Sequence, residues 1–207
     1  MTRIVLATAN AGKIRELRDI LADAALPIEL VGLEEFPQIG EVAETGLTFA
    51  ENALLKAHAV ARGSGLPAIA DDSGLCVDAL NGMPGVFSAR WSGVRADRAT
   101  KDKANLDLLL AQLADVPEGR RGAHFACAAA LALPTGEEHV VEGAMHGSLL
   151  FEPRGAGGFG YDPIFVPEGY DRTNAELSPA EKNAISHRGR AFRALVPVIA
   201  EVLVTPA

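Results

Sequence analysis

Residues 68–77 read Ala68-Ile69-Ala70-Asp71-Asp72-Ser73-Gly74-Leu75-Cys76-Val77. The apolar run after Pro67 predicts a buried strand, with two adjacent carboxylates, a hydroxyl and a glycine at its end before apolar residues resume. Burying one carboxylate is costly and two neighbours repel each other, so a positive partner is required close by. A divalent cation with oxygen ligands meets that requirement, because hard cations prefer carboxylates. The alternative is a strand ending in a solvated Asp-Asp-Ser-Gly turn, residue types that favour turns on their own. The stretch by itself leaves both readings open.

Upstream, Arg3 to Thr8 predicts a first strand and Asn10 the cap of a helix. Ile14, Leu17 and Leu21 fall on one face of that helix, with Ile20 beside them. Lys13 stands out, because a cation in the first turn opposes the helix dipole. An anion at the helix start removes the conflict: Thr8, backbone N–H groups and Lys13 would then converge on phosphate oxygens. A solvent-exposed lysine is the plain alternative. The segment is not a P-loop, since Ala7 replaces the first glycine and Ile14 the metal-binding hydroxyl.

The acidic stretch Glu29 to Gly46 predicts irregular structure. Thr48 and Glu51 then have capping-box spacing, and Ala50, Ala53, Leu54, Ala57 and Ala61 supply the packing face of a second helix that ends at Gly63-Ser64-Gly65. If the aspartate pair binds a metal, the loop before this helix offers a further carboxylate, Glu44 first and Glu41 second. Downstream, Ser88 and Arg90 are expected at the surface beside Trp91. Thr100 is expected to cap a helix carrying Leu106, Leu109, Leu110 and Leu113, and Gly122–Leu133 with Glu138–Met145 forms a hairpin.

A glycine-rich loop follows, Gly155-Ala156-Gly157-Gly158-Phe159-Gly160-Tyr161-Asp162-Pro163. Its glycines permit close backbone approach, Phe159 and Tyr161 offer flat faces for a base, and Asp162 is an acceptor. The alternative is a tight turn into the strand Ile164–Val166. Ser178-Pro179-Ala180-Glu181 is a capping box with proline at the first helical position. Lys182, His187, Arg188, Arg190 and Arg193 then crowd together, a cluster suited to a nucleotide. Gly189 suggests a break before a closing helix bent at Pro197.

The chain has 207 residues, 48% hydrophobic and 22% charged, which suits one domain with a large core. A net charge of -8 argues against a general nucleic-acid binder but not against a small anion held locally. The two cysteines, Cys76 and Cys127, lie in apolar runs and read as reduced. No targeting or membrane-spanning run is evident, which predicts a cytoplasmic protein with no membrane partner.

Four pieces in this order, Thr8-Ala9-Asn10-Ala11-Gly12-Lys13, Ala70-Asp71-Asp72-Ser73-Gly74-Leu75, Gly157-Gly158-Phe159-Gly160-Tyr161-Asp162-Pro163 and Ala184-Ile185-Ser186-His187-Arg188, resemble the inosine/xanthosine triphosphate pyrophosphatases. Thr45-Gly46-Leu47-Thr48-Phe49 and Glu51-Asn52-Ala53 fit as well, so the resemblance spans nearly the whole chain. Ala9 departs from the glycine that bacterial relatives usually carry.

The resemblance implies an α/β fold, a single two-lobed domain over residues 1–207 with an elongated, highly twisted mixed sheet, flanking helices and a substrate cleft between the lobes. It implies Mg²⁺-dependent hydrolysis of ITP, dITP and XTP to the monophosphate and pyrophosphate by a homodimer. Carried over residue by residue, Asp72 becomes general base and metal ligand, with Glu44 the second ligand. Thr8, Ala9, Asn10, Ala11, Gly12 and Lys13 hold phosphates, and Ser73 touches the substrate. Phe159, Gly160, Tyr161, Asp162, Lys182, His187 and Arg188 surround sugar and base. Selectivity for a 6-keto oxygen needs donors, and His187 and Arg188, or backbone N–H groups near them, are expected to supply them. The rivals are a nucleotide sensor without turnover and an aspartyl-phosphate phosphatase, which would release orthophosphate.

Overall fold

A computed structural model of the protein describes residues 2–8 and 11–204. Six strands form one mixed sheet: β1 (Thr2–Leu6), β2 (Ile28–Val31), β3 (Ala68–Val77), β4 (Gly122–Ala132), β5 (Glu138–Leu149) and β6 (Phe165–Pro167), in the order β2-β1-β3-β4-β5-β6. The α-helices are α1 (Ala11–Asp23), α2 (Phe49–Ser64), α3 (Arg98–Gln112), α4 (Pro179–Ile185) and α5 (His187–Ile199). The chain forms two compact units. The first contains the residues up to Asp72, Cys127–Gly143 and the chain from Arg188; the second contains Ser73–Ala126 and Ala144–His187. Strands β3, β4 and β5 each contribute residues to both.

In the first unit, β1 pairs in parallel with β2 from Thr2↔Ile28 to Val5↔Val31 and with β3 at Val5↔Ala68 and Leu6↔Ile69. A strand between two partners is buried on both faces, and its alternate residues serve different helix layers. Ile4 and Leu6, with Ile69, pack among Leu17 and Leu21 of α1 and Phe192, Leu195 and Ile199 of α5. Val5, with Ala68 and Ala70, packs among Ala53, Ala57, Val60 and Ala61 of α2 and Ala128, Ala130 and Ala132 of β4. That seam is nearly all alanine, so α2 approaches the sheet closely.

The second unit packs Leu75 and Val77 of β3 against Leu106, Leu109 and Leu113 of the α3 segment and against Tyr161, Ile164 and Phe165. Buried Arg121 holds this unit together through carbonyl oxygens. Its guanidinium donates to Leu113 (2.7 Å), Val116 (3.3 Å), Leu149 (2.9 Å) and Leu150 (2.9 Å). Among the described residues no helix is long and apolar enough to cross a membrane.

Several expectations change. Asp71 and Asp72 lie within β3, not at the end of a strand, and no solvated turn follows them. Their charges are matched by side chains from three helices, which local sequence does not display. Residues 29–31 belong to β2, paired with β1, and are not irregular. Helix α3 is capped by Asp97, whose side chain accepts from the Thr100 N–H at 3.1 Å, so the helix starts earlier than expected. Ser88 is buried, its hydroxyl donating to the Gly85 carbonyl and accepting from the Leu75 N–H. The break before the closing helix falls at Ser186, whose extended backbone separates α4 from α5, while Gly189 is buried inside α5. Beyond Pro197 the helix runs to Ile199 and continues as a π turn over Ala200–Val204.

Candidate active site

Successive residues of a strand face opposite sides, and this sends the two aspartates to different helices. Asp71 follows Ile69 toward α1 and α5. Lys13 of α1 donates to both its carboxylate oxygens, at 2.9 and 2.8 Å, and the Arg188 Nε of α5 reaches Oδ2 at 3.2 Å. Arg188 also lies 3.9 Å from Glu16. Burial alone would raise the Asp71 pKa, but Lys13 and Arg188 outweigh it and hold the group down to about 2. Lys13 in the first turn of α1 is thus balanced, in this chain, by a carboxylate of its own.

Asp72 follows Ala68 and Ala70 toward α2. Buried Asn52 donates to its Oδ2 at 3.0 Å, and Lys56, one turn further along the helix, lies 3.5 Å from its Oδ1. Lys56 also donates to Glu44 Oε1 at 2.7 Å, so one ammonium is shared by two carboxylates from separate segments. Burial raises the Asp72 pKa, with Lys56 opposing. Burial disfavours the Lys56 charge, yet Asp72 and Glu44 beside it more than compensate and its pKa rises. Among the described residues no group of three or more His, Cys, Asp or Glu side chains is placed to hold a metal. Glu44 and Asp72 nevertheless converge on a cation, and hard oxygen donors of this kind suit Mg²⁺. Glu41 is exposed.

In the second unit, buried Asp162 organises the glycine-rich loop. It accepts from the Phe159 N–H (2.8 Å), from Asn174 Nδ2 (3.2 Å) and from Lys182 Nζ (2.5 Å). Lys182 also lies 4.8 Å from the centre of the Phe159 ring, and Arg98 of α3 lies 4.7 Å from it. Asp102 of α3 accepts from the Gly160 N–H at 3.2 Å. Phe159 is 52% exposed, with its ring attended by the Lys182 and Arg98 cations. Tyr161 is no flat face for a base: its ring sits in the core and its hydroxyl donates to the Ser88 carbonyl at 2.9 Å.

Of the remaining expected contacts, Thr8 lies two residues beyond the end of β1 with its N–H on the Leu6 carbonyl, and Ser73 follows Asp72 within β3. Ala11 and Gly12 open α1, while Ala9 and Asn10, with the predicted cap, lie outside the described residues. The His187 ring stacks on Phe125 at 5.0 Å. Arg188 pairs with Asp71 and lies 3.9 Å from Glu16, beside Lys13. Arg190 and Arg193 are exposed on α5.

The model of the Ham1 family matches residues 4–198. The chain belongs to the Ham1 family. A relative from Streptomyces coelicolor, named dITP/XTP pyrophosphatase, is 68% identical over 203 residues, covering 98% of this chain and 100% of its own. Among solved structures, a HAM1 protein from Coxiella burnetii superposes with a TM-score of 0.88 at 43% identity, over 98% of this chain and 100% of that one. A Mycobacterium abscessus structure titled nucleoside-triphosphatase / dITP/XTP pyrophosphatase gives a TM-score of 0.80 at 54% identity, over 96% of this chain and 100% of that one.

Two residues of this Ham1 chain received no role from the sequence: Asn52, which entered only as part of the resemblance, and Lys56. A signal for them exists. They are polar and four apart on a helix whose buried face is otherwise Ala53, Ala57, Val60 and Ala61, and polar groups so placed require partners on the sheet.

Proposed function

We propose that the protein hydrolyses the non-standard purine nucleoside triphosphates dITP and XTP, and ITP with them, to the nucleoside monophosphate and pyrophosphate. Relatives of near-complete coverage carry the name dITP/XTP pyrophosphatase. The observation that carries the reading is the Asp71-Asp72 pair, one carboxylate bound to two cations and the other held between Asn52 and Lys56.

Release of pyrophosphate requires water to attack the α-phosphorus and the bond to the bridging oxygen to break. The Asp72 carboxylate takes the proton of that water, and its burial-raised basicity suits the task. Lys13, Arg188 and Lys56 offset the charge of the triphosphate and of the departing pyrophosphate. Glu44 and Asp72 would hold Mg²⁺, which supplies further neutralisation of phosphate charge when bound. A donor that meets a 6-keto oxygen is left unpaired opposite an amino group, which disfavours adenine nucleotides. We further propose a cytoplasmic homodimer, with the free thiols of Cys76 and Cys127 in keeping with a reducing compartment.

The test is a panel of nucleoside triphosphates with product identification, with Mg²⁺ and with a chelator, on the wild type and Asp72→Asn. The expected result is pyrophosphate from ITP, dITP and XTP, little from ATP, and a loss of at least ~10²-fold in turnover for the variant. Orthophosphate as product, tight ITP binding without turnover, or a fully active Asp72→Asn protein would each overturn the proposal.

A further inference from the structure

We infer that Asn52 is a positioning residue for catalysis, fixing the Asp72 carboxylate and tying it to the loop that bears Glu44. The inference rests on the reading of Asp72 as general base. Asn52 is 0% exposed, on a helix face lined by alanines. A buried primary amide needs partners at both ends, because an unpaired end keeps its full desolvation cost. Here Oδ1 accepts from the Gly46 N–H at 2.8 Å and Nδ2 donates to Asp72 Oδ2 at 3.0 Å.

The order of those partners matters. A backbone N–H can only donate, so Gly46 dictates which end of the amide is oxygen and turns the nitrogen toward β3. Asp72 is therefore always met by a donor, which suits its charged form and fixes its plane. With Oδ2 held at 3.0 Å by Asn52, Oδ1, which Lys56 approaches only to 3.5 Å, is the less tightly engaged oxygen and the one to receive a proton. Gly46 stands two residues after Glu44, and a Cβ there would meet Asn52 Oδ1 at 2.8 Å and Glu51 Cβ at 2.6 Å. Only glycine lets the loop come this near, so one side chain sets both the base and the backbone leading to the second carboxylate.

The test is a double-mutant cycle of Asn52→Leu and Asp72→Asn, read as kcat and KM for ITP, with urea unfolding of all four proteins. Leucine keeps the branched skeleton of asparagine but is bulkier, so Asn52→Ala serves the same cycle should leucine not pack. Loss of one hydrogen bond to a charged group predicts a fall in kcat of about 10- to 100-fold, with KM within about threefold. In the Asp72→Asn background the same change alters turnover by less than about threefold, because its target is gone. Exchange of the Gly46 amide hydrogen accelerates in the leucine variant. Equal fold-losses in both backgrounds, a rise in KM with kcat unchanged, or an unaltered Gly46 exchange rate would overturn the inference. An Asp72→Asn protein with wild-type turnover instead removes the base assignment, whatever Asn52 does.

Discussion

Replacing Asp71 by asparagine keeps the shape of the side chain and removes its charge, leaving Lys13 and Arg188 side by side without their shared anion. The size of the effect follows from the carboxyl group itself. Its pKa falls from the ordinary 3.8 to about 2 in the folded chain. Each tenfold change in proton affinity corresponds to about 1.4 kcal/mol, so the folded state favours the charged form by about 2 kcal/mol. Because the folded pKa is depressed, this contribution is complete above the unfolded value, near pH 4, and disappears as pH falls toward 2. Urea unfolding from pH 7 to pH 2 is the assay. At neutral pH Asp71→Asn is expected to be less stable by at least ~2 kcal/mol, since two partly buried cations lose a partner. On acidification the two proteins converge, the wild type losing what the variant already lacks. Inorganic pyrophosphate, an anion able to replace the carboxylate, is expected to raise the midpoint more in the variant than in the wild type. Equal stability at pH 7 with parallel pH curves would refute the reasoning.

Lys56→Met removes the ammonium shared by Glu44 and Asp72, and turnover of ITP is expected to fall by at least ~10-fold; an unchanged kcat would remove Lys56 from the machinery. Arg121→Met strands buried carbonyls at Leu113, Val116, Leu149 and Leu150, so calorimetry should show a loss of about 3–5 kcal/mol and a Tm lower by about 10 °C. A shift of only a degree or two would show that the chain re-pairs those groups. Gly158→Ala places a Cβ 2.4 Å from Asp162 Oδ2 at a residue with φ +70, which should disturb the loop, raise KM for ITP and cost about 1–2 kcal/mol. Wild-type KM and Tm together would count against that account of the loop.

The periodic elements were legible in the chain: Leu17 and Leu21 marked the buried face of α1, Ala53, Ala57 and Ala61 that of α2, and Pro134-Thr135-Gly136 the turn of the β4–β5 hairpin. Strand β2 was not, because four residues with an exposed glutamate leave too short a pattern for alternation to stand out. The continuation of β3 through Asp71-Asp72-Ser73-Gly74 was hidden for a different reason. Those residue types favour turns locally, and what keeps them extended is pairing and charge supplied by segments distant in sequence. Within the site, the acids and Lys13 announced themselves as misfits in their local setting. Asn52 and Lys56 looked ordinary on a helix surface until the alanine seam turned that surface inward. Tyr161 erred the other way, an aromatic in a glycine loop whose ring belongs to the core.

The alternation of β3 has a mechanical consequence. Asp71 grips Lys13 and Arg188 while Asp72 meets Asn52 and Lys56, the proton acceptor of the proposed reaction, yet a single peptide bond separates the two. Sliding the strand by one position against β1 would turn every side chain to the opposite face, so that neither aspartate kept its present partners. The pairings Val5↔Ala68 and Leu6↔Ile69, deep in an apolar layer, are what stop that slide. A methyl group trimmed from that layer, well away from any phosphate, should therefore be felt first as mistimed chemistry and only later as lost stability.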